Sequence, residues 1–132
     1  MEILDTAMKR ILIVEDDLAT QDIFKIIFET YGYHVECMDN GTNLYNKIGN
    51  WPDAIILDKQ LPDVDGVEAC KFLKSQSSSK NVPVILITGS AGIDHWAKTA
   101  GADDFFEKPF DMKSLVKKVD ILISKNEHRS VL

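Results

Sequence analysis

Four short apolar blocks punctuate the chain: Ile11-Leu12-Ile13-Val14, Ala54-Ile55-Ile56-Leu57, Val84-Ile85-Leu86-Ile87 and the segment through Phe105-Phe106. Blocks of this length, rich in β-branched residues and separated by helix-length stretches, predict strands buried on both faces of a parallel sheet. A weaker strand is predicted over Val35–Met38, and the outer limits of the last two are set at Val82–Thr88 and Asp103–Glu107.

Between the strands the period changes from two to about 3.6. Leu18, Ile23, Ile26, Ile27 and Tyr31 recur near that spacing before Gly32, which predicts a helix over 18–31. Asp39-Asn40-Gly41 opens a short amphipathic segment carrying Leu44 and Ile48, closed by Gly49-Asn50-Trp51-Pro52. Asp65-Gly66 precedes a stripe of Val67, Cys70 and Leu73 that dissolves in the serine-rich run 75–79. A fourth helix ends near Gly101. The last starts around Asp111, with Leu115, Val116, Val119, Leu122 and Ile123 on one face and Lys113, Lys117, Lys118 and Lys125 on the other. The pattern is five β-α units, an α/β fold in one domain over 9–125, with frayed ends at 1–8 and 126–132.

Composition narrows the function. At 132 residues the chain can bury a real core. Its net charge of −6 repels phosphate backbones and anionic lipid, so no direct nucleic-acid or membrane partner is expected. The acidic start Met1-Glu2-Ile3-Leu4-Asp5 lacks a signal peptide's basic and apolar regions, which predicts a cytoplasmic protein, by default monomeric. Cys37 and Cys70 form no metal or redox motif and read as small core residues, while His34, His95 and His128 lack ligand spacing.

The polar residues at the strand ends carry the chemistry. Glu15 and Asp16 follow the first block, Asp58 the second, Thr88 the third, and Lys108 the last. Ligands of open α/β sheets bind beyond the carboxyl ends of the strands, so these groups are expected to share a crevice. Two carboxylates ~5 Å apart at an effective dielectric of ~20 repel by about 3 kcal/mol, which a divalent cation relieves. All-oxygen ligands suit Mg²⁺. Lys108 offers a point charge and Thr88 a hydroxyl for phosphoryl oxygens, and Asp58 can serve as nucleophile in an acyl-phosphate reaction. Taken singly the residues are ordinary: Asp16 or Asp17 suits a helix N-cap, Thr88 a strand, Lys108 a solvated surface. Their coincidence at successive strand ends favours phosphoryl chemistry.

The strings Ile11-Leu12-Ile13-Val14-Glu15-Asp16-Asp17, Leu57-Asp58-Lys59-Gln60-Leu61-Pro62-Asp63-Val64-Asp65-Gly66 and Phe105-Phe106-Glu107-Lys108-Pro109-Phe110 resemble the receiver domain of two-component response regulators. The resemblance covers Lys9 to Lys125. It implies a flavodoxin-like, doubly wound sheet of five parallel strands in order 2-1-3-4-5 with five helices. It further implies that Asp58 accepts a phosphoryl group from a sensor histidine kinase or histidine phosphotransfer protein. Mg²⁺ would be held by Asp16, Asp58 and the backbone carbonyl of Gln60, with Glu15 acting largely through water. Thr88 and Phe105 would form the switch, and Lys108 would hold a phosphoryl oxygen beside a peptide bond to Pro109 that is commonly cis. The implied protein is a stand-alone, non-enzymatic signalling switch that phosphorylates and dephosphorylates itself with metal assistance and docks a downstream protein, with dimerisation on phosphorylation an option.

Three departures from the family pattern stand out. Glu15 occupies a position where Asp is commoner, and Phe105 one where Tyr is frequent. The Thr88–Lys108 interval is slightly short, at or before the fourth helix, which carries His95 and Trp96. Gln60 and Ser90 lie where the family tunes the lifetime of the phosphorylated form. Among rivals, a flavodoxin-like cofactor site would need phosphate-binding N–H groups where Glu15-Asp16-Asp17 stand. An aspartate-dependent phosphohydrolase would need a carboxylate at Gln60. A pseudo-receiver that only binds proteins is the remaining alternative.

Overall fold

The computed structural model describes residues 8–89 and 92–131. Ten elements alternate along the chain: β1 (Arg10–Val14), α1 (Leu18–Thr30), β2 (His34–Met38), α2 (Gly41–Tyr45), β3 (Ala54–Asp58), α3 (Gly66–Ser75), β4 (Val84–Thr88), α4 (Ile93–Ala100), β5 (Asp104–Glu107) and α5 (Met112–Val131). The strands form one parallel sheet in the order β2-β1-β3-β4-β5. This is the predicted flavodoxin-like arrangement. β1 lies between β2 and β3, with Val14 opposite Met38 on one side and Leu57 on the other.

The apolar blocks are continuous because both faces of the sheet are covered. Ile11, Ile13, Ala54, Ile56, Ile85 and Ile87 pack against Phe24 and Phe28 of α1 and Leu115, Val116, Val119 and Ile123 of α5. Leu12, Val14, Ile55, Leu57, Val84 and Leu86 face Leu44 of α2, the Val67-Cys70-Leu73 stripe of α3, and Ala97 and Ala100 of α4. Alternation along each strand therefore divides two cores rather than separating core from solvent.

Local chemistry sets the helix ends. Asp17, Asn40 and Asp65 cap α1, α2 and α3, each accepting a backbone N–H of the first turn. Gly66 opens α3 against the end of β3, where a Cβ would lie 2.2 Å from the Asp58 carbonyl oxygen. Any larger residue there would force the helix away from the strand. Gly101 closes α4 in the left-handed conformation.

Several expectations are corrected. In α1 the sheet buries Phe24 and Phe28, with Ile27 packed beside them, whereas Leu18, Ile23, Ile26 and Tyr31 are exposed. Apolar residues almost encircle this helix, so periodicity could not choose its inner face. α2 stops at Tyr45, and Ile48 is 96% exposed in the following turn. Cys37 is exposed on the edge strand β2; Cys70 is buried. β4 begins at Val84 because Pro83, which lacks an N–H, joins only through its carbonyl, accepting from Ile55. α5 continues past Lys125 to Val131, where a frayed tail was expected. Lys9 and Tyr33 hold it down through Glu127 and Asp120. Residues 1–7, and Ser90, lie outside the described residues. Among the described residues no helix is long and apolar enough to cross a membrane.

Candidate functional site

The order β2-β1-β3 reverses the direction of strand addition at the junction of β1 and β3, and the candidate residues collect at that junction's carboxyl end. Backbone pairing runs one step past the strands and fixes their positions. Glu15 N–H donates to the Met38 carbonyl at 2.9 Å, Lys59 N–H to Ile87 at 2.8 Å, and Lys108 N–H to Thr88 at 2.8 Å. Side chains following β1, β3 and β5 are thereby delivered to the rim of the sheet.

Carboxylate oxygens of Glu15, Asp16 and Asp58 lie within 4.8 Å of one another. Glu15 and Asp58 are 1% and 4% exposed, whereas Asp16 faces solvent. Lys108 bridges the two buried acids, its Nζ 3.3 Å from Glu15 Oε1 and 3.2 Å from Asp58 Oδ2. The other Glu15 oxygen accepts the Asp16 N–H at 3.0 Å, and Asp58 Oδ1 accepts the Gln60 N–H at 2.8 Å. One lysine thus serves two buried carboxylates with a third beside them.

Protonation reflects that imbalance. Burial, then hydrogen bonding and charge repulsion from Asp58, push Glu15 up to about 7, with Lys108 pulling the other way. Burial of the Lys108 ammonium works to lower its pKa, yet the Asp58 and Glu15 carboxylates outweigh it and the group sits above its usual value. A cluster of hard oxygen donors carrying surplus negative charge fits a divalent cation such as Mg²⁺, and Glu15, Asp16 and Asp58 are the residues able to hold it.

Thr88 ends β4 one strand beyond Asp58 and is fully buried. Phe105, opposite Leu86 of β4, is half-buried against the core beneath α3 and α4. The Lys108–Pro109 peptide is cis. Asp17 is occupied as the α1 cap, accepting from Thr20, and contributes no carboxylate to the cluster. Sequence reasoning missed the supports of the β3–α3 loop. Asp63 accepts the Gly41 and Thr42 N–H groups at 2.8 Å each, as well as the Thr42 hydroxyl, and these bonds hold its pKa down at about 2. Lys59, directly after Asp58, places its ammonium 5.5 Å from the centre of the Trp96 ring. Neither contact has a local signature, since each joins segments far apart in the chain.

A family model described as the response regulator receiver domain matches residues 11–120. The chain is 33% identical over 123 residues to the DNA-binding dual master transcriptional regulator RpaA of Synechocystis, covering 91% of this chain and 51% of that protein. It is 33% identical over 116 residues to the phosphate regulon transcriptional regulatory protein PhoB of Escherichia coli, covering 84% and 50%. The chain therefore spans about half the length of these curated relatives. Among solved structures, a CheY-like receiver domain from Methanospirillum hungatei superposes with a TM-score of 0.84 at 31% identity, covering 93% of this chain and 99% of that one. The receiver domain of the sensor histidine kinase PA1611 of Pseudomonas aeruginosa, which has a magnesium ion coordinated in its active-site cleft, superposes at 0.81 with 28% identity, covering 89% and 99%. Sheet order, rim chemistry and these likenesses agree: the chain belongs to the response regulator receiver domains, the non-enzymatic signalling modules of two-component systems.

Proposed function

We propose that this chain is a phosphorylation-dependent switch whose acceptor is Asp58, loaded by a sensor histidine kinase or a histidine phosphotransfer protein. The observation that carries the reading is the buried Asp58 carboxylate held 3.2 Å from Lys108 Nζ beside Glu15 and Asp16. A carboxylate so placed is pre-oriented as a nucleophile, and Lys108 offsets the charge of an approaching phosphoryl group. An Asp58 oxygen attacks phosphorus, the P–N bond of the donor phosphohistidine breaks, and the imidazole nitrogen keeps the electron pair and takes a proton. Attack of water on the same phosphorus later returns Asp58 and inorganic phosphate.

Glu15, Asp16, Asp58 and the Gln60 carbonyl would hold Mg²⁺, which supplies the charge neutralisation that lets an anionic donor approach an anionic acceptor. The Gln60 N–H donates to Asp58 Oδ1 at 2.8 Å, which ties that residue to the acceptor. Lys108 and the Thr88 hydroxyl each take a phosphoryl oxygen, and Phe105 repacks as Thr88 shifts. The modified side chain carries about −1.5 to −2 charge, enough to bias a two-state surface that a downstream protein reads. The curated relatives RpaA, a DNA-binding transcriptional regulator, and PhoB, a transcriptional regulatory protein, are each about twice as long as the segment they share with this chain.

Intact-mass spectrometry after incubation with Mg²⁺ and acetyl phosphate tests the assignment. Wild type gains the mass of one phosphoryl group and Asp58→Asn does not. Absence of the gain in wild type, or its persistence in Asp58→Asn, overturns it.

A further inference from the structure

The loop after Asp58 is tied to the molecule on two sides. Asp63 anchors it to the start of α2. On the other side Lys59 reaches α4, its ammonium 5.5 Å from the Trp96 ring centroid and 3.4 Å from Asp65 Oδ2. The Lys59 side chain is 18% exposed, whereas Trp96 is 44% exposed with His95 edge-on beside it. The residue next to the acceptor thus holds the exposed indole of a helix three elements downstream.

We infer that Lys59 and Trp96 form a latch that phosphorylation of Asp58 opens, passing the state of the acceptor to α4. This rests on the reading of Asp58 as the phosphoacceptor. Among the described residues the Lys59 ammonium has two holds, a cation–π contact to a partly exposed indole and an ion pair to a half-exposed carboxylate, each weakened by solvent on the partner's side. Phosphorylation replaces the single charge of the neighbouring carboxylate by about −1.5 to −2, while Lys108 is already shared between Asp58 and Glu15. Lysine's flexible stem lets its point charge re-aim, which a planar guanidinium held by stacking resists. The other end of the latch is equally suited to move. α4 has eight residues and opens on Gly92, which has no side chain to cap it; among its described side chains Ala97 and Ala100 are buried. Removing the lysine leaves Trp96, already 44% exposed, without the cation that covers its ring.

The chain has two tryptophans, so Trp51→Phe isolates Trp96 fluorescence; the same signal follows in wild type by difference from Trp96→Phe. Acrylamide quenching is measured before and after treatment with Mg²⁺ and acetyl phosphate, with intact mass recorded on each sample. Phosphorylation raises the Stern–Volmer constant of Trp96 about twofold as the cation leaves the ring. Lys59→Met shows the raised constant before treatment, gains the phosphoryl mass, and changes no further; Lys59→Arg behaves as wild type before treatment. A mass gain without a change in quenching overturns the latch and leaves the acceptor assignment standing. Unaltered quenching in untreated Lys59→Met also overturns the latch, while no mass gain overturns the acceptor reading and the latch with it.

Discussion

Acids stand at both ends of the sheet, in opposite circumstances. At the amino end of the strands, Asp53 accepts the Arg10 N–H at 2.8 Å, and Asp103 accepts the Val84 N–H at 2.8 Å while pairing with Lys74. Each such carboxylate satisfies a backbone donor left over where a strand begins, so its charge supports the fold. At the carboxyl end, Glu15, Asp16 and Asp58 face one another, and the cation bonded to the two buried ones is Lys108. Carboxylates that match backbone donors are structural. Those that crowd together without enough partners hold unspent electrostatic energy, and a bound cation or a transferred phosphoryl group can draw on it.

The contrast can be broken most sharply through Glu15. Its folded-state pKa of about 7 lies above the unfolded value of about 4.3, so its contribution to stability is fully present below pH ~4.3 and is lost as pH rises through about 7. In metal-free buffer, urea unfolding of wild type should lose about 3 kcal/mol across that window relative to Glu15→Gln, which lacks the titration. Mg²⁺ should shrink the difference. A pH-independent gap between the two proteins would show that the rim acids are not strained.

The amino end should respond in the opposite sense and ignore the metal. Asp103→Ala leaves the Val84 N–H without its acceptor and breaks the Lys74 pair, costing about 2 kcal/mol in thermal or urea unfolding. Its Mg²⁺ affinity, measured by titration calorimetry, should match wild type. A smaller loss of about 1 kcal/mol is expected for Asp53→Ala, whose partner N–H lies on a strand that solvent partly reaches. If either substitution weakened Mg²⁺ binding more than it lowered stability, the division of labour between the two ends would fail.

Much of this was legible in the chain because it is encoded locally. Continuous β-branched blocks define strands covered on both sides, Asp17 and Asp65 start helices, Gly101 ends one, and the strand-end acids follow from chain order alone. The α5 face was also correct, with Leu115, Val116, Val119 and Ile123 buried. The inner face of α1 was not legible. Leu18, Ile23 and Ile26 are as apolar as Phe24 and Phe28, and the shape of the sheet decided between them.

The amino-acid sequence by itself determined the alternation of elements, the parallel sheet and which residues arrive at its rim. These depend on periodicity and on the local chemistry of caps and turns. Tertiary structure alone decided that Glu15 and Asp58 share one lysine, that Glu15 is pushed up to about 7, that Asp63 secures the acceptor loop to α2, and that Lys59 lies over Trp96. Coulombic, desolvation and cation–π effects depend on distance in space and on exclusion of water, and both are set only when remote segments of the chain are brought together.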